Sequence, residues 1–505
     1  MIEFETGQNC WRVETAGRLS FIVNGKAYFR ALREALLQAR RLVMLIGWDF
    51  DFEIEMLPGE SDADGNAPDG FPNTVGAFLD AMAHRRPELD IYLLKWSGGA
   101  LIAPGRILPA LQVKFLSPEQ IHLAFDGCHP IGACHHQKLV AIDDSLAFCG
   151  GIDLTQGRWD DHEHRDENPL RRDRNGEISQ PWHDASAVFT GPAAAAISEL
   201  ARARWHRAHD ARIDESFQPG ADIWPASIAP MFHDLPLAIA RTQPPEHDAP
   251  LINEIETLYL DAIAGAEHCI FLESQYFCAD NITRAIARRL REPNGPEVVI
   301  INPHAAQGMI EDQAMHITRS RAIRYLRGID RHDRFRILYP VTASGQPIYV
   351  HAKLMVVDDR FLRVGSSNID RRSMGFDTEC DIAVIAQSAA ERRQIRRFRD
   401  GLIAEHLGLD PAHVGKTVAA HGEVIGALRA LSGPGPGLMP LVPRAEPLLG
   451  RFLSETRLFD PRYRNSAKAR LGVTSRHVMM GGALALGGAM LWRHLDRKRR
   501  MRDGR

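Results

Sequence analysis

At 505 residues, with 45% hydrophobic and 25% charged residues, the chain has the composition of a globular protein and the length for more than one core. Its 61 basic residues nearly balance 64 acidic ones, for a formal charge of −3, which argues against a dedicated nucleic-acid binder while leaving room for a local basic groove. Seven cysteines (10, 128, 134, 149, 269, 278 and 380) are scattered and odd in number, without paired C-x-x-C spacing, so they read as free thiols. The first residues, MIEFETGQNCWRVETAG, show no basic stretch before an apolar core, hence no recognisable secretory signal. With the cysteine pattern this points to a reducing, cytoplasmic setting.

Residues 24–39 place Phe29, Leu32, Leu36 and Leu37 at helical spacing, with Asn24 as the expected N-cap. The apolar run 42–48 predicts a buried strand, 58–72 a loop, 74–84 a helix, and 91–96 and 111–116 two further strands. CHHQKLVAIDDSLAFCGGID follows at 134–153, with His136, Lys138 and Asp143 spaced H-x-K-x(4)-D. The second half repeats the order, with a helix over 251–264 and strands over 269–276, 298–301 and 335–339. Then comes YVHAKLMVVDDRFLRVGSSNIDRRS at 349–373, where His351, Lys353 and Asp358 hold the same spacing. Gly365-Ser366-Ser367-Asn368 stands where the first copy has Gly150-Gly151-Ile152-Asp153.

Such a recurrence marks a duplicated unit, and alternating strands and helices argue an α/β class with helices flanking a sheet. Prolines at 219, 225, 230, 236, 244, 245 and 250 place the connection within 217–250, although 237–241 also reads as a first strand of the second unit. The expected division is therefore 1–216, 217–410 and a tail, 411–505. In the tail, 433–447 has no regular period and reads as an irregular connector. Residues 478–492 carry no charge, are shorter than the roughly 20 apolar residues of a membrane span, and precede a basic end. Three readings stay open: a short membrane or interfacial anchor, a helix packed on the protein, or a disordered tail.

In extended chain His136 and Lys138 face one way, as do His351 and Lys353. A titrating imidazole beside a fixed cation suits an anionic group such as phosphate. Asp143 and Asp358 lie an odd number of residues on, each opening an Asp-Asp pair at an expected tight turn, so within the motif they read as framework. The glycines and serines let backbone N–H groups and hydroxyls approach phosphate oxygens. Two copies suggest that each half supplies part of one site.

A pair of such motifs resembles the phospholipase D superfamily. GGIDLTQGRWD (150–160), PWHD (181–184), ESQYF (273–277), GSSNIDRRSMG (365–375) and DTECDIAV (377–384) are similar to segments of its lipid-cleaving branch, and the likeness runs from about residue 25 to 407. The resemblance implies two similar α/β sandwich units, each a mixed sheet flanked by helices, related by a pseudo-two-fold axis with the active site at their interface. It implies His136 as nucleophile and His351 as general acid, a symmetry the sequence itself does not break. Lys138 and Lys353 would hold the nonbridging oxygens, with Ser366 and Asn368 adding hydrogen bonds and no metal or other cofactor required. Asp153, at the position matching Asn368, departs from the usual pattern, and an anion there would repel the substrate. Asp184 is the candidate to orient one imidazole, and either Glu379 or Asp381 the other.

The implied reaction is hydrolysis of a glycerophospholipid to phosphatidic acid and a head-group alcohol through a phosphohistidine, with transphosphatidylation as a companion activity. A phosphatidyltransferase of the cardiolipin synthase type and a nuclease-type phosphodiesterase are the alternatives. The expected partners are a phospholipid substrate and a membrane surface, with no nucleic acid. Trp159, Trp182, Tyr276 and Phe277 are either an apolar mouth for lipid or core aromatics.

Overall fold

The computed structural model describes residues 2–98, 117–173, 175–209, 211–213, 222–245, 250–446, 455 and 460–462; the strand expected over 111–116 and the apolar segment 478–492 lie outside them. The first half runs β1 (Arg12–Val23), α1 (Gly25–Leu36), β2 (Leu42–Gly47), α2 (Val75–Arg85), β3 (Asp90–Trp96), β4 (Ile121–Asp126), β5 (Leu139–Ile142), β6 (Leu146–Gly150), β7 (Trp182–His183), β8 (Ala185–Thr190) and α3 (Pro192–His209). The second opens with β9 (Phe232–Gln243), β10 (Ile252–Asn253), α4 (Glu254–Ala264), β11 (Cys269–Glu273), α5 (Asp280–Arg291), β12 (Glu297–Ile301) and α6 (Met309–Ile329). It continues with β13 (Phe335–Val341), β14 (Tyr349–Val350), β15 (Leu354–Val357), β16 (Phe361–Gly365), β17 (Glu379–Ile385) and α7 (Ala389–Leu407). Last come α8 (Pro411–His421), α9 (Val424–Leu431) and β18 (Gly437–Pro440).

Sixteen of the described strands form one mixed sheet, ordered β18-β13-β12-β11-β15-β16-β17-β9-β1-β8-β6-β5-β2-β3-β4, with β10 on β9. From β13 to β4 the order reads alike from either end. The parallel set β2-β3-β4 matches β11-β12-β13, and the hairpin β5-β6 matches β15-β16. The two halves meet at an antiparallel pair, β1 on β9. Every residue of β2 and of β12 is buried, as expected of apolar runs in a sheet covered on both faces.

One face of the sheet carries a core common to both halves, where Met44, Phe189, Phe271, Val299 and Ile382 lie under Trp205 of α3 and Ile403 of α7. The other face carries two separate cores, Leu45 and Phe148 under α1 and α2, and Ile270 and Ile300 under α4 and α5. The result is the α/β class read from the sequence, a mixed sheet flanked by helices.

Several local expectations are corrected. Asn24 does not cap α1; it sits at φ 68°, and its side chain donates to Glu405 Oε1 (2.9 Å) and accepts from the Asp184 N–H (3.3 Å). The stretch 433–447 is not wholly irregular, since Gly437–Pro440 adds β18 to the free edge of β13. Edge pairing uses backbone groups only, so proline- and glycine-rich composition concealed it. Ahead of it, α8 and α9 bury Val414, Val418, Ile425 and Leu428 in the common core. The motif His and Lys residues lie just before β5 and β15 in the ladder, not within them.

The motif aspartates close two matched turns. Asp143 and Asp144 stand at φ 48° and 51°, Asp358 and Asp359 at 54° and 51°, the left-handed geometry that Asp tolerates in a tight hairpin. Asp143 accepts the N–H groups of Arg40, Arg41 and Leu42 at 2.7–2.9 Å, stapling the chain where it enters β2. Asp358 does the same for Glu267, His268 and Cys269 at 2.7–2.8 Å, where it enters β11. Each carboxylate is spent on the frame. Asp143→Ala and Asp358→Ala are each expected to lower stability by about 2–4 kcal/mol, by stranding several backbone donors, as read from urea unfolding midpoints.

Candidate active site

Two short parallel pairings bring the motifs to the seam. β14 pairs with β7, so the His351 N–H reaches the carbonyl of His183 (2.7 Å). In the same way the His136 N–H reaches the carbonyl of Thr378 (3.0 Å), and the Thr378 N–H that of Cys134 (3.1 Å). Each motif histidine is thereby laid beside the residue preceding a carboxylate of the opposite half. His136 Nδ1 lies 2.9 Å from Glu379 Oε2, and His351 Nδ1 lies 2.7 Å from Asp184 Oδ2. The exchange is reciprocal.

The glycines after each motif make room for buried carboxylates, one of them the orienting Asp184. A Cβ on Gly151 would lie 2.4 Å from Asp184 Oδ1, and one on Gly365 would lie 2.0 Å from Asp381 Oδ1. Asp381 therefore sits near the site without facing an imidazole. Its carboxylate is paired with Arg363 and accepts from the hydroxyl of Ser367 (2.6 Å), which corrects its candidacy as an orienting group. Glu379 takes that role in the geometry, braced by Ser366 Oγ (2.6 Å) and Ser373 Oγ (2.7 Å). Ser366 is fully buried, its hydroxyl donating to Glu379 Oε2 and accepting from the Cys380 N–H (3.0 Å). Asn368 keeps a buried side-chain Oδ1 with no hydrogen-bond partner among the described residues, an acceptor open to a donor rather than to a phosphate oxygen.

The two lysines differ in surroundings. Lys138 Nζ lies 3.2 Å from Asp153 Oδ2, whose other oxygen accepts from the Trp48 N–H (3.1 Å). Asp153 thus serves as counter-ion to a lysine. Lys353 bonds to neutral oxygens, Gln275 Oε1 (3.3 Å) and the carbonyl of His351. Burial depresses its ammonium to about 7, the charge of Asp184 opposing and that of Lys138 assisting. Burial, then Lys138 and Lys353, hold His136 well below the usual imidazole range; burial and Lys353 do so for His351, against the pull of Asp184. Asp184 falls to about 2 despite its burial because His351 and Lys353 face it, whereas burial lifts Glu379 to about 8.

Trp182 stacks on Tyr349 (4.7 Å between centroids) and leans on His351 (5.0 Å), with the Arg158 guanidinium 4.0 Å above it. Trp159, Trp182 and Phe277 are buried, and Tyr276 is half-buried. Beneath the site lies a network that sequence reading missed. His183 bridges Glu405 and Glu273 (2.7 Å each), His406 bonds to Glu273 (2.8 Å), and His164 bonds to Asp160 (2.9 Å) and Glu405 (3.2 Å). By type and proximity His164–His183–Glu405 and His183–Glu273–His406 could each hold a metal ion. The neighbouring nitrogens and oxygens are hydrogen-bonded to one another, and His183, though buried, is raised to about 10 by Glu273 and Glu405, the behaviour of an imidazolium clamped between carboxylates. The sequence signals were the histidine of PWHD, Glu273 of ESQYF and Asp160 of GGIDLTQGRWD, whereas Glu405 and His406 come from the far end of α7.

The model of the cardiolipin synthase, PLD-like domain family matches residues 259–400. Phospholipase D A of Dictyostelium discoideum is 27% identical over 76% of this chain and 35% of its own length. Phospholipase D alpha 1 of Nicotiana tabacum is 23% identical over 74% of this chain and 63% of its own. The chain thus spans from about a third to under two thirds of these relatives. Among solved structures, phosphatidylserine synthase of Haemophilus influenzae aligns over 83% of this chain and 96% of its own with a TM-score of 0.53 at 10% identity, a likeness of fold.

The position of Lys353 has a titration consequence. Its folded value of about 7 lies below 10.5, so between these pH values the unfolded chain binds more protons and the contribution of this lysine to stability falls as pH falls toward 7. Lys353→Met removes that penalty. Its urea midpoint is expected to exceed that of the wild type most near pH 7, with the gap closing toward pH 10.

Proposed function

We propose that this chain, which belongs to the phospholipase D superfamily, hydrolyses the phosphodiester of glycerophospholipids to phosphatidic acid and a free head-group alcohol. The carrying observation is the reciprocal pairing of each motif histidine with a carboxylate of the other half. With Nδ1 committed on both rings, Nε2 is the reactive nitrogen of each.

In this reading His136 attacks phosphorus in line, the P–O bond to the head group breaks, and His351 gives its proton to the departing oxygen. Water then attacks the phosphohistidine, His351 takes the proton, and the P–N bond breaks to release phosphatidic acid. Lys138, Lys353 and the Asn368 amide would hold the nonbridging oxygens, where negative charge accumulates. The assignment of the two histidines follows the carboxylates. Both imidazoles are held below the usual range, but the ionised Asp184 pulls His351 toward its protonated form, which makes it the better candidate of the two for the general acid and His136 for the neutral nucleophile. An alcohol in place of water would give transphosphatidylation. The family match at residues 259–400 favours phosphatidyl transfer of the cardiolipin synthase type as a second reading.

The reaction would take place at a membrane surface. No helix among the described residues is long and apolar enough to cross a membrane. The uncharged run 478–492 and its basic end are the candidate lipid contact.

Mixed vesicles of phosphatidylcholine, phosphatidylethanolamine and phosphatidylglycerol with added ethanol are expected to yield phosphatidic acid and phosphatidylethanol by mass spectrometry. Accumulation of cardiolipin instead would move the reading to transfer, and absence of all these products would end the lipid reading. His136→Asn and His351→Asn are each expected to lower turnover by at least about 10⁴-fold. Appreciable activity in either variant would contradict a single shared site.

A further inference from the structure

Residues 460–462 stand far down the chain from both motifs, yet they are docked beside the second. The Asp460 side chain is buried, and its Oδ1 accepts the N–H groups of Arg371 (2.8 Å) and Arg372 (3.0 Å). Arg462 pairs with Glu256 of α4, with Nη1 2.9 Å from Oε1, and lies over Gly375, where a Cβ would come 3.4 Å from its Nε. The tail thus spans from the motif loop to a helix of the same half.

The loop it holds is the one that completes the site. Asp370 accepts the Ser373 N–H (2.8 Å), Ser373 Oγ accepts the Asn368 N–H (3.0 Å), and the same hydroxyl donates to Glu379 Oε1 (2.7 Å). Glu379 in turn holds His136 Nδ1. One short path therefore runs from the tail, through two backbone amides, to both the backbone N–H of Asn368 and Glu379, the carboxylate paired with His136.

We infer that Asp460 is a positioning residue of the active site, acting from the tail as a hydrogen-bond acceptor that fixes the 368–373 loop. It acts through that loop and touches no reacting atom. Its work is done by an oxygen rather than by a charge. Asp370 is buried close by, and burial raises both carboxyls, Asp370 adding its repulsion at Asp460 while Asp377 and Glu379 add theirs at Asp370, so that a further full negative charge is disfavoured there. An amide oxygen at 460 would accept the same two N–H groups.

The inference rests on the phosphodiesterase reading for its kinetic arm alone. Asp460→Ala and Asp460→Asn are compared in the full chain by two measurements. The first is amide hydrogen exchange of the 365–377 segment, and the second is turnover of bis(p-nitrophenyl) phosphate and of phosphatidylcholine vesicles. In Asp460→Ala the Arg371, Arg372 and Ser373 amides are expected to exchange at least about 10-fold faster, with kcat down by about 10-fold and KM within about 2-fold of wild type. In Asp460→Asn exchange and kcat are expected to stay within about 2-fold of wild type. Wild-type exchange in Asp460→Ala overturns the inference, and so does an Asp460→Asn variant as impaired as the alanine one. Should the wild type turn over neither substrate, the phosphodiesterase reading fails, while the exchange arm still decides whether Asp460 holds the loop.

Discussion

Two hydrogen bonds that cross the seam, His136 to Glu379 and His351 to Asp184, are what the remainder of the structure serves. Each needs a residue from the first half and one from the second, held within a few tenths of an ångström. A buried imidazole without its carboxylate would be free to choose either tautomer, and the reactive nitrogen would no longer be defined. The continuous sheet supplies the rigidity, since β8 and β17 carry the chain away from the two carboxylates on either side of the central pair. Gly151 supplies the clearance for Asp184. The Asp143 and Asp358 staples fix the hairpins that follow each histidine, so the conserved-looking acid of the motif works on the backbone while the acids that matter to the imidazoles come from elsewhere in the chain.

The two sides of the site are built alike and charged differently. One lysine has a carboxylate counter-ion and the other has only neutral oxygens; one orienting carboxylate is firmly ionised and the other is driven toward its neutral form. A symmetric frame thus holds an asymmetric field, which is what a reaction needs when one imidazole must attack and the other must give a proton. The His183 network adds a second layer. It places a clamped positive charge next in sequence to Asp184 and ties that strand to the last turn of α7.

Much of the frame was legible because it is local. The helix and strand runs of each half carry their periodicity in adjacent residues, and the recurrence of H-x-K-x(4)-D pointed to the residues at the seam. What stayed hidden depends on long-range pairing. β1 was not read, β9 was read only in part, as the strand over 237–241, and β18 exists only because an edge was available. The choice between Glu379 and Asp381 turned on register. Gly150 pairs with Ser186 and Gly365 with Asp381, so Asp184 and Glu379 stand at matching positions two residues earlier. Linear spacing does not show this, because the segments between glycine and carboxylate differ in length. The setting of Ser366 was hidden for a related reason, its hydroxyl being turned to a carboxylate whose location the sequence did not reveal.

The central pair β1–β9 has an implication for how such a site could be assembled at all. Matching strands that run antiparallel across a seam are what two identical edges adopt about a two-fold axis, here with Arg12 opposite Ile239 and Leu19 opposite Phe232. A half-length chain of this design would hold a histidine lacking its carboxylate and an exposed edge able to recruit a second copy carrying it. Joining the halves in one chain replaces an encounter between molecules with an intramolecular one, so the site no longer depends on protein concentration. Within one chain the two sides need not be identical, so each is free to specialise.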